Sequence, residues 1–342
     1  MKNKEVLLLG GSGFIGSSIA KFLLKNREYN LTIVDNFTRG NKIESKFFEK
    51  YLNKGQLKTV NLDLTVSDSF KCLENDFDYV FVLAALVGVD KVNKIPHEVI
   101  RVNTLITMNT LEWLKSSKCK RVLFSSTSEN YAGTIEKFGY AVPTDETVPL
   151  TIEDISHPRF SYAITKILGE SGFINYSKAG YFDAVIIRYH NVFGPNMGFR
   201  HVIPHLIERF SKNEQPFKIY GHDQTRSFNF VDDAVEGTVL AIENGASQAV
   251  YHIGSEQEIT IKELTKYVGD IMGYQGDYVD AETFPGSVSR RCPDITKAKN
   301  DLNFMPKVGW KDGVKITVEW YLDYMKNSES KESFYDQFGV KE

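Results

Sequence analysis

The chain contains 342 residues, of which 42% are hydrophobic and 25% are charged, and its formal net charge at pH 7 is -3. These values are ordinary for a soluble globular protein, and without a basic tract they argue against a nucleic-acid binder. No apolar run approaches the roughly 20 residues that a membrane-spanning helix needs. A chain of this length predicts two domains, or one large domain with an additional lobe.

The cysteines and histidines do not have the spacing of a metal or redox site. The three cysteines are far apart in the sequence: Cys72, Cys119 and Cys292. Scattered thiols are typical of a reducing cytoplasm, and the first predicted strand begins too early to leave room for a signal peptide. His201 and His205 have helical spacing but no third ligand nearby. We therefore expect a cytoplasmic protein without a metal site.

The first predicted elements are an apolar strand at residues 6–9, a glycine-rich turn and an amphipathic helix. Apolar residues at helical spacing follow the turn: Phe14, Ile15, Ile19, Phe22 and Leu23. This order is typical of a dinucleotide-binding turn. Gly10 permits the tight bend, Gly13 lets the backbone approach a pyrophosphate, and Gly16 lets helix and strand pack closely. The helix N-terminus offers free N–H groups to the phosphates.

An acidic residue supports this interpretation. Residues 31–34 predict the second strand, and Asp35 follows at its end, 19 residues after Gly16. A carboxylate there accepts hydrogen bonds from the adenosine ribose and repels a 2′-phosphate, which favours NAD over NADP. Asn36 is a further candidate for cofactor binding, whereas Arg39 keeps NADP as an alternative. A glycine-rich turn without a ligand is the other alternative.

Strand and helix signals alternate through the rest of the first half. They fall at residues 42–52 (helix), 57–60 (strand), 67–73 (helix), 79–83 (strand), 96–116 (helix) and 122–124 (strand). Asp63 and Leu64 lie where an adenine contact is expected, although a turn aspartate is an equal alternative. Ala84 and Ala85, at the end of the strand predicted at 79–83, are small enough for a cofactor to pass. Asn103, in the helix predicted at 96–116, either turns toward the strand ends or is solvated. The alternation predicts an α/β fold with a parallel, doubly wound sheet.

The candidate catalytic residues follow the strand at 122–124. Tyr162 and Lys166 are four residues apart, so they share one face of a predicted helix. The lysine ammonium favours the phenolate, which makes Tyr162 a candidate base. Thr127 is predicted to bond the same substrate hydroxyl, and Ser125 opens this polar stretch as a candidate cofactor contact. A tyrosine and a lysine at this spacing also occur by chance, but here they follow a nucleotide-binding turn.

Together the motifs resemble the extended short-chain dehydrogenase/reductase family, the NAD-dependent nucleotide-sugar epimerases and dehydratases. The matching stretches span most of the chain: Gly10-x-x-Gly13-x-x-Gly16, Asp35, Ser126-Thr127, Tyr162-x-x-x-Lys166, Arg188-Tyr-His-Asn-Val-Phe-Gly-Pro195 and residues 225–233. The resemblance implies a Rossmann-type fold with a smaller C-terminal α/β lobe that binds a nucleotide-diphosphate sugar. It implies that Tyr162 takes a proton from a sugar hydroxyl, usually at C4, while NAD accepts the hydride and Lys166 holds the nicotinamide ribose.

The triplet Thr127-Ser128-Glu129 narrows this resemblance. It is similar to GDP-mannose 4,6-dehydratases and UDP-glucuronate decarboxylases, whereas simple C4 epimerases have small or apolar residues in the last two places. A C4 ketone acidifies the C5 hydrogen, so Glu129 is a candidate base; orienting a loop or a sugar hydroxyl is the alternative. The reaction therefore stays open: the alternatives are an epimerase, a dehydratase, a decarboxylase and a net C4 dehydrogenase. A non-enzymatic nucleotide-binding regulator is a further alternative.

The second half supplies candidates for substrate binding. Asn191 resembles a diphosphate-contacting asparagine or is a turn residue, and Val202 flanks the base or packs in the core. Arg226 resembles a phosphate clamp, and Arg291 lies in a stretch similar to one where decarboxylases contact the substrate; its guanidinium suits a carboxylate or a diphosphate. Asp232 and Asp233 begin a helix and are predicted to cap it. Residues 138–154 are predicted to form a lid or a partner contact.

We expect a dinucleotide-binding domain at residues 1–190, rejoined by residues 227–253, and a substrate lobe at residues 191–342. Further strands are predicted at 184–188, 217–220 and 250–253, and helices at 199–210, 261–272, 296–302 and 310–325. The residues from Lys326 onward are rich in charge and serine, so we expect them to be loosely held. The family resemblance also implies a homodimer, formed by the helix before Lys118 and the one that carries Tyr162.

Overall fold

The computed structural model describes residues 3–38, 43, 45–198, 201–283 and 287–327. The strands within these ranges are β1 (Glu5–Leu9), β2 (Asn30–Asp35), β3 (Leu57–Asn61), β4 (Tyr79–Val82), β5 (Arg121–Thr127), β6 (Asp183–Tyr189), β7 (Val192–Phe193), β8 (Phe217–Tyr220), β9 (Thr225–Ser227), β10 (Asn229–Phe230), β11 (Val250–Ile253), β12 (Glu258–Thr260), β13 (Tyr278–Ala281) and β14 (Arg290–Arg291). The α-helices are α1 (Phe14–Asn26), α2 (Lys46–Asn53), α3 (Val89–Lys94), α4 (Pro96–Ser116), α5 (Ala132–Phe138), α6 (Phe160–Lys178), α7 (Val202–Ser211), α8 (Val231–Asn244), α9 (Ile261–Met272), α10 (Thr296–Leu302) and α11 (Trp310–Asn327).

The main sheet has seven parallel strands in the order β11-β6-β5-β4-β1-β2-β3. The chain builds outward from β1 through β2 to β3, and then returns to add β4 on the other side. This reversal places a crevice at the carboxyl ends of β1 and β4, where ligands bind in folds of this kind. The predicted doubly wound α/β architecture is confirmed.

The strand β1 is buried on both faces of the sheet. Val6 and Leu8 belong to one apolar cluster with Leu23 of α1, whereas Leu7 belongs to a second cluster with Leu111 of α4. A strand covered on both faces needs a continuous apolar run, which explains why the segment shows no alternation of polar and apolar residues.

The chain after β6 forms smaller sheets and a group of helices. β9 lies between β12, to which it is antiparallel, and β14, to which it is parallel. β8 pairs with β13, and β7 pairs with β10. The strand β11 returns to the main sheet beside β6, as residues 250–253 predicted. The proposed boundaries between the dinucleotide-binding domain and the lobe stay predictions.

Some elements differ from those that the sequence predicted. β5 continues through Thr127, because Thr127 pairs with Tyr189 at the end of β6. Residues 67–72 form a 3-10 helix rather than an α-helix, and Leu73 N donates to Phe70 O three residues earlier. The helix predicted from Lys42 begins at Lys46 in the described chain.

The prediction that Asp232 and Asp233 cap α8 is wrong. Phe230 occupies the N-cap position, and its side chain makes no capping hydrogen bond. Asp233 is buried instead, and its Oδ2 accepts a hydrogen bond from Val308 N at 2.9 Å. This carboxylate therefore ties α8 to the segment that precedes α11.

Some predictions fall outside the described residues: Arg39 as an NADP contact, the helix starts at Lys42 and Phe199, and most of the tail after Lys326. Within the described ranges, no helix combines the length and apolar character that crossing a bilayer requires.

Candidate active site

The turn between β1 and α1 requires glycine for different reasons at different positions. Gly10 has φ +83°, and a Cβ there would lie 2.5 Å from Ala84 N. A Cβ on Gly16 would lie 2.5 Å from the carbonyl oxygen of Gly10, whereas one on Gly13 would meet only that oxygen, at 3.5 Å. Gly13 is the N-cap of α1 and has no side-chain cap. Its uncrowded backbone fits a pyrophosphate at a helix N-terminus.

Asp35 lies at the end of β2, directly beside this turn. Its Oδ2 accepts a hydrogen bond from Ser12 N at 3.0 Å, and its Oδ1 accepts one from Phe37 N at 3.0 Å. Asn36 is exposed in a local turn, where its Oδ1 accepts from Thr38 Oγ1 at 3.0 Å. The carboxylate of Asp35 is thus fixed next to the glycine turn, as binding of an adenosine ribose requires.

The loop after β4 closes the other side of the glycine turn. Ala84 touches Gly10 closely, and Ala85 follows it, half-buried. Asn103 of α4 is 4% exposed, so the solvated alternative is wrong. Its Oδ1 accepts from Leu86 N at 2.7 Å and its Nδ2 donates to Leu86 O at 3.1 Å. Asn103 therefore holds the loop that flanks the predicted cofactor site.

Asp63 and Leu64 follow β3 at the same edge of the sheet. Asp63 Oδ1 accepts from Thr65 N at 2.9 Å and from Thr65 Oγ1 at 2.8 Å, which is the pattern of a turn aspartate. Leu64 is buried, and its carbonyl oxygen accepts from Asn109 Nδ2 at 3.0 Å. An adenine contact by this pair stays a prediction.

Tyr162 and Lys166 lie on α6, one helical turn apart. Lys166 is 4% exposed, and its Nζ donates to the carbonyl oxygen of Ser125 at 2.7 Å. The same Nζ lies 5.8 Å from the centre of the Tyr162 ring. Burial lowers the pKa of Lys166 to about 8, although the charge of Glu170 opposes this shift. Lys166 is thus a protonated lysine beside a phenol at neutral pH.

The end of β5 carries the predicted triplet. Thr127 is its last residue and accepts from Glu129 N at 3.2 Å, while Ser128 is buried in the 3-10 turn that follows. Glu129 forms two ion pairs: its Oε1 lies 2.5 Å from Arg291 Nη1, and its Oε2 lies 3.2 Å from Arg159 Nη2. Burial raises the pKa of Glu129, but the two guanidinium charges outweigh it and bring that pKa to about 2. Glu129 is therefore held as a carboxylate.

The predicted substrate-binding residues lie on several elements after β6. Asn191 has φ +38°, and its Nδ2 donates to Ser227 O at 2.8 Å, which links the end of β6 to β9. Arg226 and Arg291 occupy paired positions on β9 and β14. Val202 begins α7 and is half-buried against the core. The two guanidiniums have different partners, because Arg226 donates to the carbonyl oxygens of Thr225 and Val288 whereas Arg291 pairs with Glu129.

Comparison with known proteins identifies the family. The model of the NAD dependent epimerase/dehydratase family matches residues 6–254. The chain belongs to this family. It is an NAD-dependent enzyme of the nucleotide-sugar epimerase and dehydratase group, as the motifs predicted.

Relatives of this epimerase/dehydratase cover nearly all of its length. It is 34% identical to the UDP-N-acetyl-alpha-D-glucosaminuronate decarboxylase of Bacillus cytotoxicus, over 94% of this chain and 98% of that protein. It also resembles the crystal structure of UDP-glucose 4-epimerase from Thermotoga maritima with UDP-glucose, with TM-score 0.81, 28% identity, and coverage of 94% and 99%. A UDP-glucuronic acid 4-epimerase variant from Bacillus cereus, in complex with NAD and UDP-4-deoxy-4-fluoro-glucuronic acid, gives TM-score 0.81 and 26% identity over 94% and 99%.

Sequence reasoning gave no role to Arg159, the second partner of Glu129 in this epimerase/dehydratase. Arg159 directly precedes α6, and nothing local in the sequence indicates that it pairs with a carboxylate 30 residues earlier. Glu170 and His252 also received no role, although both are buried and hydrogen-bonded near the predicted site. Glu170 lies one helical turn after Lys166, and this spacing is the sequence signal from which its position on the same helix face could have been predicted.

Proposed function

We propose that this enzyme oxidises C4 of a nucleotide-diphosphate sugar to a ketone and then completes its reaction on the C5 side of the ring. The buried Lys166, fixed to Ser125 O and close to the Tyr162 ring, is the observation that carries this proposal. Tyr162 takes the proton of the C4 hydroxyl, helped by the lysine charge, and Thr127 hydrogen-bonds the same hydroxyl. Bound NAD supplies the acceptor for the hydride that leaves C4.

The cofactor is proposed to lie across the carboxyl ends of β1, β2 and β4. The residues proposed to contact or shape its site are Gly10, Gly13, Phe14, Ile15, Gly16, Asp35, Asn36, Asp63, Leu64, Ala84, Ala85, Asn103, Ser125 and Lys166. The position of Asp35 beside the glycine turn supports NAD over NADP, because a 2′-phosphate would meet its negative charge.

The sugar nucleotide is proposed to extend from Tyr162 toward the smaller sheets. Arg226 and Arg291 are proposed to face the diphosphate or a sugar carboxylate, Asn191 to face the diphosphate, and Val202 to flank the base. Their paired positions on β9 and β14 put both arginines on the same small sheet, and guanidiniums suit diphosphate and carboxylate groups.

Glu129 is proposed to act on the C5 side, with Ser128 beside it. Once C4 is a ketone, the C5 hydrogen is acidic enough for a carboxylate to remove. Two arginines lower the pKa of Glu129 to about 2, so it becomes a stronger base when substrate weakens one of those ion pairs. An anionic substrate group is suited to compete for the two guanidiniums.

Decarboxylation of a hexuronate is the second candidate. A C6 carboxylate would take the place of Glu129 on Arg159 or Arg291, the two guanidiniums that converge there. With C4 oxidised, the C5–C6 bond breaks, its electrons enter the ketone as an enolate, and carbon dioxide leaves. The uronate decarboxylase of Bacillus cytotoxicus, which is 34% identical, supports this candidate.

A product assay tests both candidates. The enzyme is incubated with UDP-, GDP- and dTDP-sugars, including hexuronates, and products are followed by mass. Loss of water supports a dehydratase, loss of carbon dioxide supports a decarboxylase, and an unchanged mass with a new sugar supports an epimerase. A Tyr162→Phe protein serves as the matched control, and we expect it to lose turnover about a thousandfold. A Tyr162→Phe protein that is as active as its parent would overturn the C4 oxidation itself.

We also propose a homodimer and a cytoplasmic location. α4 packs on α6 and exposes Ile100 (44%) and Met108 (41%), while α6 exposes Leu168 (41%). Apolar residues at this spacing on paired helices suit a four-helix interface between two copies. Sedimentation of the parent and of a Met108→Glu, Leu168→Glu variant tests the dimer, and a parent that sediments as a monomer would contradict it. The three cysteines are unpaired, which supports a reducing compartment.

A further inference from the structure

A buried hydrogen-bond network runs from α6 toward the segment that carries Arg291. It begins at Glu170, one turn after Lys166, whose carboxylate accepts from Arg188 Nε at 2.9 Å and from Arg188 Nη2 at 2.6 Å. Arg188 also donates, through Nη1, to the hydroxyl of Tyr131. Glu170, Arg188 and Tyr131 are each 5% exposed or less. The network is therefore shielded from water along this part of its course.

His252 continues the network and fixes the direction of its hydrogen bonds. Its Nδ1 lies 3.1 Å from the carbonyl oxygen of Asp294, which can only accept, so Nδ1 carries the proton. Its Nε2 then accepts from the Tyr131 hydroxyl at 2.8 Å. The ring is neutral, because burial and the charge of Arg188 lower the pKa of His252 to about 3. The Tyr131 hydroxyl and the His252 N–H therefore each have one matching acceptor.

The network ends on the two segments that carry the Glu129–Arg291 ion pair. Tyr131 is two residues after Glu129 in the same 3-10 turn, and Asp294 is three residues after Arg291. The segment that carries Arg291 is also held by Thr144, whose carbonyl oxygen accepts from Asp294 N at 2.8 Å. The segments that carry the two partners are thus linked by the ion pair itself and again by the hydrogen bonds from Tyr131 through His252 to Asp294.

We propose that Tyr131 and His252 are positioning residues, which hold Glu129 and Arg291 in place on the C5 side of the substrate. This rests on the proposed function, because it gives Glu129 its task. The buried Tyr131 hydroxyl donates its only proton to His252 and accepts from Arg188, so it acts through its neighbours and not on the sugar. Small displacements of a reacting group are costly: a shift of about 1 Å lowers a rate by about a hundredfold.

A double-mutant cycle tests the proposal with the full-length enzyme. We expect Tyr131→Phe to lower kcat/KM about tenfold and Glu129→Gln to lower it about a hundredfold. If Tyr131 acts through Glu129, the double variant is no slower than Glu129→Gln alone, whereas independent effects would multiply to about a thousandfold. Tyr29→Phe is the matched control, since it removes a hydroxyl that bonds Glu243 outside the network. Its effect is expected to multiply with that of Glu129→Gln.

The outcomes separate this inference from the proposed function. A slow Glu129→Gln enzyme whose defect multiplies with that of Tyr131→Phe overturns the positioning role and leaves the proposed function standing. A Glu129→Gln enzyme as fast as its parent overturns both, because Tyr131 then has nothing to position. Thermal unfolding of each variant is measured first. If Tyr131→Phe does not fold, His252→Gln replaces it in the same cycle, and a multiplying defect there counts equally against the proposal.

Discussion

The ammonium of Lys166 donates a hydrogen bond to the carbonyl oxygen of Ser125 over 2.7 Å, which fixes α6 against the carboxyl end of β5. Tyr162 lies one turn earlier on α6, and Thr127 lies two residues further along β5. A single buried contact therefore sets the position of the proposed base relative to the proposed partner hydroxyl. A buried charge is costly, so activity and stability make opposite demands on Lys166.

The first prediction concerns Lys166→Met. Turnover falls by at least about a hundredfold, because the Tyr162 phenolate loses its cation. Stability at pH 7 rises by about 1–2 kcal/mol: lowering the pKa from 10.5 to about 8 corresponds to about 3 kcal/mol, and the lost hydrogen bond to Ser125 costs about 1–2 kcal/mol. Denaturant unfolding and the product assay measure both effects.

The stability gain in Lys166→Met has a defined pH window. Since burial lowers the folded-state pKa of Lys166, the folded chain binds fewer protons than the unfolded chain between about pH 8 and 10.5. Below pH 8 the buried charge lowers the stability of the parent by its full amount, and this loss disappears as pH rises from about 8 to 10.5. The stability advantage of Lys166→Met over the parent therefore shrinks in that interval. Lys178→Met, at the exposed end of α6, is the control and leaves stability unchanged. A Lys166→Met protein less stable than its parent at pH 7 contradicts the prediction.

The second prediction is an alkaline fall in activity. As pH rises through about 8, Lys166 loses its proton and no longer favours the phenolate of Tyr162. The measurement is kcat/KM for the sugar nucleotide as a function of pH, because this ratio reports ionisations of the enzyme before the sugar nucleotide binds. The residual activity of Lys166→Met is expected to lack this alkaline limb. If Lys166→Met still loses activity as pH rises through about 8, the alkaline fall is caused by a titratable group other than Lys166.

The third prediction compares two glycines in one turn. Gly16→Ala destabilises the chain by about 2–4 kcal/mol, because its Cβ would lie 2.5 Å from the Gly10 carbonyl oxygen and 2.7 Å from the Gly11 Cα. Gly13→Ala is expected to change stability by less than about 1 kcal/mol, since its Cβ meets only the Gly10 oxygen at 3.5 Å. It nevertheless weakens NAD binding at least about tenfold, because a methyl group enters the pyrophosphate position. Unfolding without cofactor and NAD titration separate the two effects.

The sequence was sufficient for features that local spacing encodes. The glycine intervals, the apolar run of β1 and the position of Asp35 depend only on neighbouring residues, so they predicted the turn, the sheet and the cofactor. The four-residue interval between Tyr162 and Lys166 similarly placed them on one helix face. These are the parts of the site whose geometry is a property of a single segment.

The remaining features of the fold and of the candidate site depend on contacts between segments that are distant in the sequence. Glu129 and Arg291 are 162 residues apart, and no local pattern indicates that they meet. Asn103 could be solvated or buried on sequence grounds, because its partner Leu86 is 17 residues away and the packing of α4 decides between the two. Asp233 lies in the first turn of α8, where the sequence predicted a cap, but the helix begins earlier and the Asp233 carboxylate accepts from Val308 N instead.

The last prediction concerns the ion pair at the start of the buried network. Glu170→Gln keeps the shape of the side chain but leaves the Arg188 guanidinium buried without a counter-charge, so we expect a loss of about 3–5 kcal/mol in the free energy of unfolding. Glu74→Gln is the matched control, because Glu74 pairs with Lys58 at the surface, where the two side chains are 67% and 60% exposed. Its expected effect is below about 1 kcal/mol. Equal losses in the two variants would show that Glu170 contributes no more than a surface carboxylate.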